Sequence, residues 1–321
     1  MRKINRNTIF VCVGLIICMT FAACGNSKNM EQQQAYRQYG INCMKKGDYE
    51  DALKAFQNAL DQSVGGIADT EIDICLYKAK AQFLSGDVEA AKETYKALID
   101  YKGYPEAYYQ RGCLYFAIGK NDKAMKDFKA AVREDDDNYE LYIGISETLN
   151  KYGCTDQAQE YLQKALNIKG SKSHDLMMKG RVYLLLADYD NAIKNLTQAV
   201  EKDEKQANFY LAQVYAAKGD EKTSNQFFEE YTKSGVASAD DLSAMAQTHI
   251  NNGDYQTAKQ YLEAAVEMKD ASDLASIKKN TIICYEKLGD FGNAKKLMEA
   301  YINDYPDDEE AKRDYTFLKT R

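Results

Sequence analysis

Histidine and cysteine are the residues of this sequence that could hold a metal ion or act as nucleophiles, but their spacing favours neither role. His174 and His249 are the two histidines, and they lie far apart in the chain. Neither has a cysteine or carboxylate partner at ligand spacing, whereas a metal site needs three or four converging ligands. His249 is therefore predicted to be a buried or half-buried structural residue.

The cysteines are scattered rather than paired. Cys12 and Cys18 lie in an apolar run near the start, and the others are Cys24, Cys43, Cys75, Cys113, Cys154 and Cys284. None forms a C-x-x-C pair, and a free cysteine often behaves as a small hydrophobe. Disulfides would be possible outside the cytoplasm, but the spacing does not indicate which cysteines would pair. Cys24 alone is assigned a role below.

No other motif supports catalysis or nucleic-acid binding. The acidic clusters at 134–137 and 307–310 lack the alternating ligands of a calcium loop and are predicted to be solvated helix-end charge. A phosphate loop, a nucleophile elbow and an H-E-x-x-H motif are all missing from the sequence. The net charge of −7 disfavours nucleic acid, whose binding needs Lys and Arg. We expect a protein that is not an enzyme and has no cofactor and no metal site.

A turn followed by an amphipathic helix recurs along the chain. Gly47 can end one helix with a positive φ, and Asp48 can cap the next. Ala52, Phe56 and Ala59 then lie on one helical face. Equivalent turns fall at positions 47, 86, 119, 153, 187, 219, 253 and 289. A period near 34 residues with two helices per period predicts a helical solenoid, whose stacked units share one core.

The pattern within each period resembles the tetratricopeptide repeat (TPR). Repeat three matches that family best, with the family's aromatic, small and alanine positions filled by Tyr108, Gly112, Tyr115, Ala124, Phe128 and Ala131. The resemblance covers about residues 33–308, with repeats starting near 33, 72, 105, 139, 173, 205, 239 and 275. It implies an all-α, right-handed superhelical solenoid of about eight helix-turn-helix repeats. Residues 309–321 are predicted to form a C-terminal capping helix.

The N-terminus reads as an export signal. Arg2, Lys3 and Arg6 precede an apolar run from Ile9 to Ala23, which predicts a signal peptide over residues 1–23. The exit Phe21-Ala22-Ala23-Cys24 resembles a bacterial lipobox, although Phe21 departs from the usual Leu. That resemblance implies lipidation of Cys24 by acyl chains such as palmitate, with a short tether over 24–32. The alternative is an uncleaved signal anchor. Either way we expect the protein on the extracytoplasmic face of a bacterial cell membrane.

The family resemblance also implies a binding groove. In tetratricopeptide proteins the first helices of the repeats line a concave face, and its counterpart here is an apolar stripe expected to be exposed to a partner. The predicted groove residues are Leu76, Phe83, Tyr109, Phe116, Ile143, Met177, Arg181, Leu184 and Phe209. Leu84, Leu185 and Lys80 are predicted on the same face. The alternatives are that the register is shifted by one residue in some helices, or that closure of the superhelix buries the stripe. A carboxylate clamp for a C-terminus is not reproduced, because Asp73 and Glu106 lie where a clamp disfavours acids.

Two functions are compatible with these features. The first is a membrane-anchored interaction scaffold or adaptor that binds an unidentified protein or peptide through its groove. The second is an accessory lipoprotein that captures peptide or glycan fragments at the cell surface. A glycan site would expose aromatic rings paired with carboxylates or amides, whereas an adaptor groove would expose apolar side chains without them.

Overall fold

The computed structural model describes residues 23–63, 67–268, 271 and 273–320, with side chains from residue 29 onward. The described residues contain seventeen α-helices and no β-strand. The helices pack into two compact units, one that ends at Ile168 and one that begins at Lys169.

The first unit contains four helix pairs. Their members are α1 (Ala23–Lys45) and α2 (Tyr49–Asp61), α3 (Asp69–Leu84) and α4 (Val88–Lys102), α5 (Pro105–Ala117) and α6 (Asn121–Glu134), and α7 (Tyr139–Lys151) and α8 (Thr155–Ala165). Each helix packs on its pair partner, and the first helices α3, α5 and α7 also contact one another in order. We call the surface that these three share the first-helix face of the unit.

The second unit contains four further pairs and one single helix. They are α9 (Ser173–Leu185) and α10 (Tyr189–Glu201), α11 (Ala207–Ala217) and α12 (Glu221–Lys233), α13 (Ala239–Asn251) and α14 (Tyr255–Glu267), α15 (Leu274–Lys287) and α16 (Phe291–Asp304), and α17 (Glu309–Leu318). The last helix buries Ala311 and Leu318 against α16, as the predicted capping helix should.

The predicted inter-helix turns are confirmed at all eight positions. Seven are glycines with positive φ, and the eighth, Ala187, adopts φ 57° despite its Cβ atom. Asp48 begins α2 by accepting a hydrogen bond from the backbone N–H of Asp51. The same aspartate cap starts the second helix of five other pairs, at Asp87, Asp188, Asp220, Asp254 and Asp290. Each cap satisfies an N–H that a helix start leaves unpaired.

The small residues of the repeat allow the paired helices to touch, as predicted. A Cβ atom on Gly112 would lie 2.5 Å from a ring carbon of Phe128, and one on Gly40 would lie 2.6 Å from the ring of Phe56. Ala124 and Phe128 are fully buried in this contact. The glycine therefore makes room for the large side chain of the second helix, and the residue pattern and the packing agree.

Several boundaries remain predictions. Four first helices begin at Pro105, Tyr139, Ser173 and Ala239, where repeats three, four, five and seven are predicted to start. Helix α1, however, begins at Ala23, so residues assigned to a tether are helical. The signal peptide, residues 1–22 of which lie outside the described part of the chain, and the division into signal, tether and solenoid stay predictions. Among the described helices, none has the length and apolarity to cross a membrane.

Candidate functional site: an apolar groove on the first-helix face

The predicted groove residues divide into two groups. Leu76, Phe83, Tyr109, Arg181 and Leu184 are partly exposed. The other four are buried, and they are Phe116, Ile143, Met177 and Phe209. The exposure predicted for these four is wrong, because neighbouring helices cover them. The binding role of the five partly exposed residues stays a prediction.

The aromatic contacts explain the burial. The ring of Phe116 stacks on Tyr152 at 5.3 Å between centroids and on Phe128 at 5.7 Å, so it bridges two repeats of the first unit. In the second unit Phe209 contacts Tyr231 at 5.4 Å. Aromatic pairs at these separations add to the area that they bury. Phe116 and Phe209 therefore hold the packed helices together and do not face a partner.

A groove does exist on the first-helix face of the first unit. It has a volume of about 210 Å³ and lies between the C-terminal turns of α3, α5 and α7. Phe83 and Leu84 form one wall, and Tyr152 forms the opposite wall. Leu84 is 43% exposed and Tyr152 is 41% exposed, so both present apolar surface to solvent. Such exposed apolar side chains around a concavity are typical of partner-binding sites.

The floor of this groove is buried and largely uncharged. Cys113 and Leu114 of α5 and Tyr95 of α4 lie beneath the opening. Cys113 Sγ lies 3.5 Å from Thr148 Oγ1. Burial raises the pKa of the Cys113 thiol and of the Tyr95 phenol, so both stay neutral near pH 7. The floor therefore offers shape and apolar contact rather than a reactive group.

Two lysines line the groove. Lys80 belongs to α3, and Lys151 ends α7 with its ammonium 6.0 Å from the ring centroid of Tyr152. Gln110 adds an amide that donates to Glu106 across 2.7 Å. An apolar side chain could enter the groove while a carboxylate beside it contacts an ammonium group. The site thus has the chemistry to bind an apolar segment that carries acidic residues.

The sequence located this groove only in part. Phe83, Leu84 and Lys80 were predicted, whereas Lys151 and Tyr152 were missed. Lys151 is the thirteenth residue of repeat four, counted from its start at residue 139. In the tetratricopeptide family this position lies on the concave face, so the repeat register could have identified it. Tyr152 gave no signal, because its exposure follows from the turn that ends α7 and from its stacking on Phe116.

The histidines and acidic clusters stay outside this site. His249 is buried, with Nδ1 3.1 Å from Asp254 Oδ2, which confirms its predicted structural role. His174 is exposed. Across the described residues, His, Cys, Asp and Glu side chains form no group of three or more that could hold a metal ion.

Comparison with known proteins identifies the repeat. Family models of the tetratricopeptide repeat match residues 105–138, 177–237, 242–272 and 281–308. The chain therefore carries tetratricopeptide repeats, and its all-α helix-pair architecture is that of a tetratricopeptide solenoid. This fold supports a role as a protein-protein interaction scaffold.

Individual relatives are similar over parts of their length. The chain is 26% identical over 235 residues to the TPR repeat-containing protein YpiA of Bacillus subtilis, which covers 71% of this chain and 53% of the relative. It is 25% identical over 126 residues to an Hsp70-Hsp90 organising protein of Plasmodium falciparum, covering 38% of this chain and 47% of that one. The chain spans about half or less of the curated relatives that match it first.

A solved structure supports the fold. Yeast Tom70 is similar with a TM-score of 0.60 and 15% identity, over 98% of this chain and 68% of that one. At this identity the likeness concerns the fold alone.

Proposed function

We propose that this protein is a membrane-anchored, extracytoplasmic interaction scaffold that binds a partner segment in the groove of its first unit. The observation that carries the proposal is the pairing of exposed Leu84 and Tyr152 with Lys80 and Lys151 around one concavity. The partner segment would insert an apolar side chain and place acidic residues beside the lysines. One relative, an Hsp70-Hsp90 organising protein, is named for organising other proteins, which is consistent with a scaffold.

The size of the groove favours a side chain over a free ligand. Its volume of about 210 Å³ is below the range of roughly 300–1,000 Å³ that is typical of small-molecule sites. Its exposed aromatic ring, Tyr152, stands beside an ammonium group rather than a carboxylate. In this groove these features favour the side chain of a partner protein over a glycan fragment.

The partner-binding part of the proposal is tested with matched baits. Residues 25–321 are immobilised and incubated with detergent-solubilised envelope of the source cell. Beside the wild type, one bait carries Leu84→Ser with Lys151→Glu, and a control carries Leu288→Ser, which changes a leucine of similar exposure (41%) in the second unit. We expect a protein that the wild type and the control retain and the groove variant loses. Equal retention by all three folded baits would refute the groove as the binding site.

The anchor rests on the lipobox resemblance of Phe21-Ala22-Ala23-Cys24 and is tested separately. In a bacterial host fed an alkyne-tagged fatty acid, we expect the wild-type chain to become labelled and to fractionate with membranes. Cys24→Ser should abolish the label, whereas Cys154→Ser, at a half-exposed thiol, should keep it. Label that persists in Cys24→Ser would overturn the lipidation proposal without touching the groove.

A further inference from the structure

A second groove lies in the second unit and is built from different helices. It has a volume of about 320 Å³ and lies between α14 and α16, with α15 as its floor. Its walls are second helices of two repeats, so it does not belong to the first-helix face. The proposed function assigns nothing to it.

The groove exists because small side chains alternate with large ones. Ala300 of α16 and Thr281 of α15 lie between the larger Leu297, Tyr301 and Ile282. The hydroxyl of Thr281 donates to the carbonyl of Ile277 across 2.8 Å, so it is already satisfied within α15.

The apolar lining reaches the surface. Leu297 is 37% exposed on α16, and Val266 of α14 faces it across the groove. In one recurring mode of protein recognition, an amphipathic helix lays its apolar face into a hydrophobic groove of its partner. An amphipathic helix of a partner would bury Leu297 in the same way.

Charge around the groove selects the kind of helix. Three charged residues line it, and two of them are Glu263 and Glu267, one turn apart on α14. The third, Lys278, has its Nζ 2.6 Å from Asp304 Oδ2, so a carboxylate already neutralises it. Glu263 accepts a hydrogen bond from the Tyr285 hydroxyl, and Lys259 lies 5.0 Å from that ring's centroid. The carboxylates therefore remain the charges that an incoming group would meet inside the groove.

We infer that this groove is a second docking site, which binds a basic amphipathic helix of a partner protein. The partner's apolar residue packs against Leu297 and Val266, and its Lys or Arg contacts Glu263 and Glu267. The charge preference is opposite to that of the first groove. The inference does not depend on the proposed function.

The test measures peptide binding to the full chain in neutral detergent, with empty micelles as the blank. The probes are two fluorescein-labelled 14-residue amphipathic peptides, one of Leu and Lys and one of Leu and Glu. Fluorescence anisotropy at about 0.15 M salt keeps long-range attraction screened beyond about 8 Å. We expect the Leu/Lys peptide to bind at least tenfold more tightly than the Leu/Glu peptide to a chain that carries Leu84→Ser with Lys151→Glu, because this variant removes the first groove as a site for an acidic segment.

Matched variants separate this groove from general charge attraction. Leu297→Ser and the double variant Glu263→Gln with Glu267→Gln should each weaken Leu/Lys binding at least fivefold. The controls are Leu288→Ser and the double variant Glu89→Gln with Glu93→Gln, which removes the same charge from two glutamates of the same spacing on α4. The controls should stay within twofold of the wild type, as should Leu84→Ser with Lys151→Glu in the first groove.

Three results would overturn the inference. They are equal weakening by groove and control variants, equal binding of the two peptides to the chain with Leu84→Ser and Lys151→Glu, and no binding of the Leu/Lys peptide by the wild type. Circular dichroism of every variant must match the wild type in helix content. Since Leu297, Glu263 and Glu267 are exposed, we expect the variants to fold.

Discussion

The two grooves differ in how their walls are held. The first groove rests on aromatic rings buried in the core, where Phe116 stacks between Tyr152 and Phe128. Between α5 and α6, the pair that contains Phe116 and Phe128, Arg111 and Asp127 form a bidentate ion pair at 2.7 and 2.8 Å that is largely shielded from solvent. The second groove is framed by bonds at the surface, such as Lys278 to Asp304 and Tyr285 to Glu263.

The first groove therefore owes its shape to packing in the core, whereas the second owes its shape to electrostatic contacts at the surface. A wall that is part of the core cannot move without a loss of buried area. Surface ion pairs contribute about 0–1 kcal/mol each and respond to salt and pH. We therefore expect the first groove to keep its shape over a wide range of conditions and the second to be more adaptable.

The largest expected effect compares the core residue that supports a wall of the first groove with a surface residue that lines the second groove. Phe116→Ala should lower the free energy of unfolding by about 3–5 kcal/mol, because it removes a ring that is 3% exposed. Leu297→Ala in the second groove should cost less than about 1 kcal/mol, since that side chain is 37% exposed. Urea unfolding of both variants measures the difference. Similar costs for the two would break the comparison.

The next effect concerns the acid sensitivity of the second unit. Asp308 caps α17 by accepting a hydrogen bond from the backbone N–H of Ala311. Its carboxylate also lies 2.7 Å from Nζ of Lys279 on α15 and accepts a hydrogen bond from the hydroxyl of Tyr301 on α16 across 3.0 Å. The Lys279 ammonium, with the Ala311 N–H, lowers the pKa of Asp308 to about 2. A carboxyl whose pKa is lower in the folded state stabilises the fold above its unfolded pKa of about 3.9.

Asparagine caps a helix about as well as aspartate, so the cost of Asp308→Asn comes from the lost charge beside Lys279. After screening by solvent we expect a cost of about 0.5–2 kcal/mol at pH 7. The cost should shrink as the pH falls from about 4 toward 2, where the wild-type carboxyl becomes neutral too. Thermal unfolding of both chains across this range measures the convergence. A difference that stays constant down to pH 2 would show that the charge contributes nothing.

A third prediction compares one turn from each unit. Gly153 and Ala187 occupy the same repeat position with φ 75° and 57°. The left-handed conformation costs a residue with a Cβ roughly 1–2 kcal/mol. Ala187→Gly should stabilise the protein by about 1 kcal/mol, and Gly153→Ala should destabilise it by a similar amount. Chemical denaturation checks both signs, and two changes of the same sign would contradict the shared geometry.

The smallest effect tests the surface frame of the second groove. Tyr285→Phe removes the hydroxyl that donates to Glu263 but keeps the ring that lines the groove. We expect a loss of no more than about 1 kcal/mol, because water replaces an exposed hydrogen bond. Differential scanning calorimetry provides the measurement. A loss as large as that of Phe116→Ala would mean that this frame is part of the core.

The repeat architecture was predictable because its determinants are local. The spacing of Gly47, Gly153 and the other turn residues set the helix boundaries, since a positive φ and an aspartate cap act within a few residues. The match between a small residue on the first helix of a pair and a large residue on the second also depends on one helix pair alone. The contact of Gly112 with Phe128 repeats that of Gly40 with Phe56.

The binding surface was less predictable because it depends on neighbouring repeats. Periodicity identified the apolar stripe of the first helices, but it could not tell Phe83, which lines a groove, from Ile143, which is covered. That distinction depends on how closely α3, α5 and α7 approach one another. Lys151 was within reach of the register, whereas the second groove left no motif at all.

The sequence by itself determined the helix pairs, their turns and the absence of a recognisable catalytic motif, because each depends on residues close together in the chain. The tertiary structure alone decided which apolar residues reach solvent and which charges surround them. Phe116 and Tyr152 are 36 positions apart, yet one closes the core and the other lines a groove because their rings stack. Exposure is a property of packing between repeats, and no local pattern specifies it.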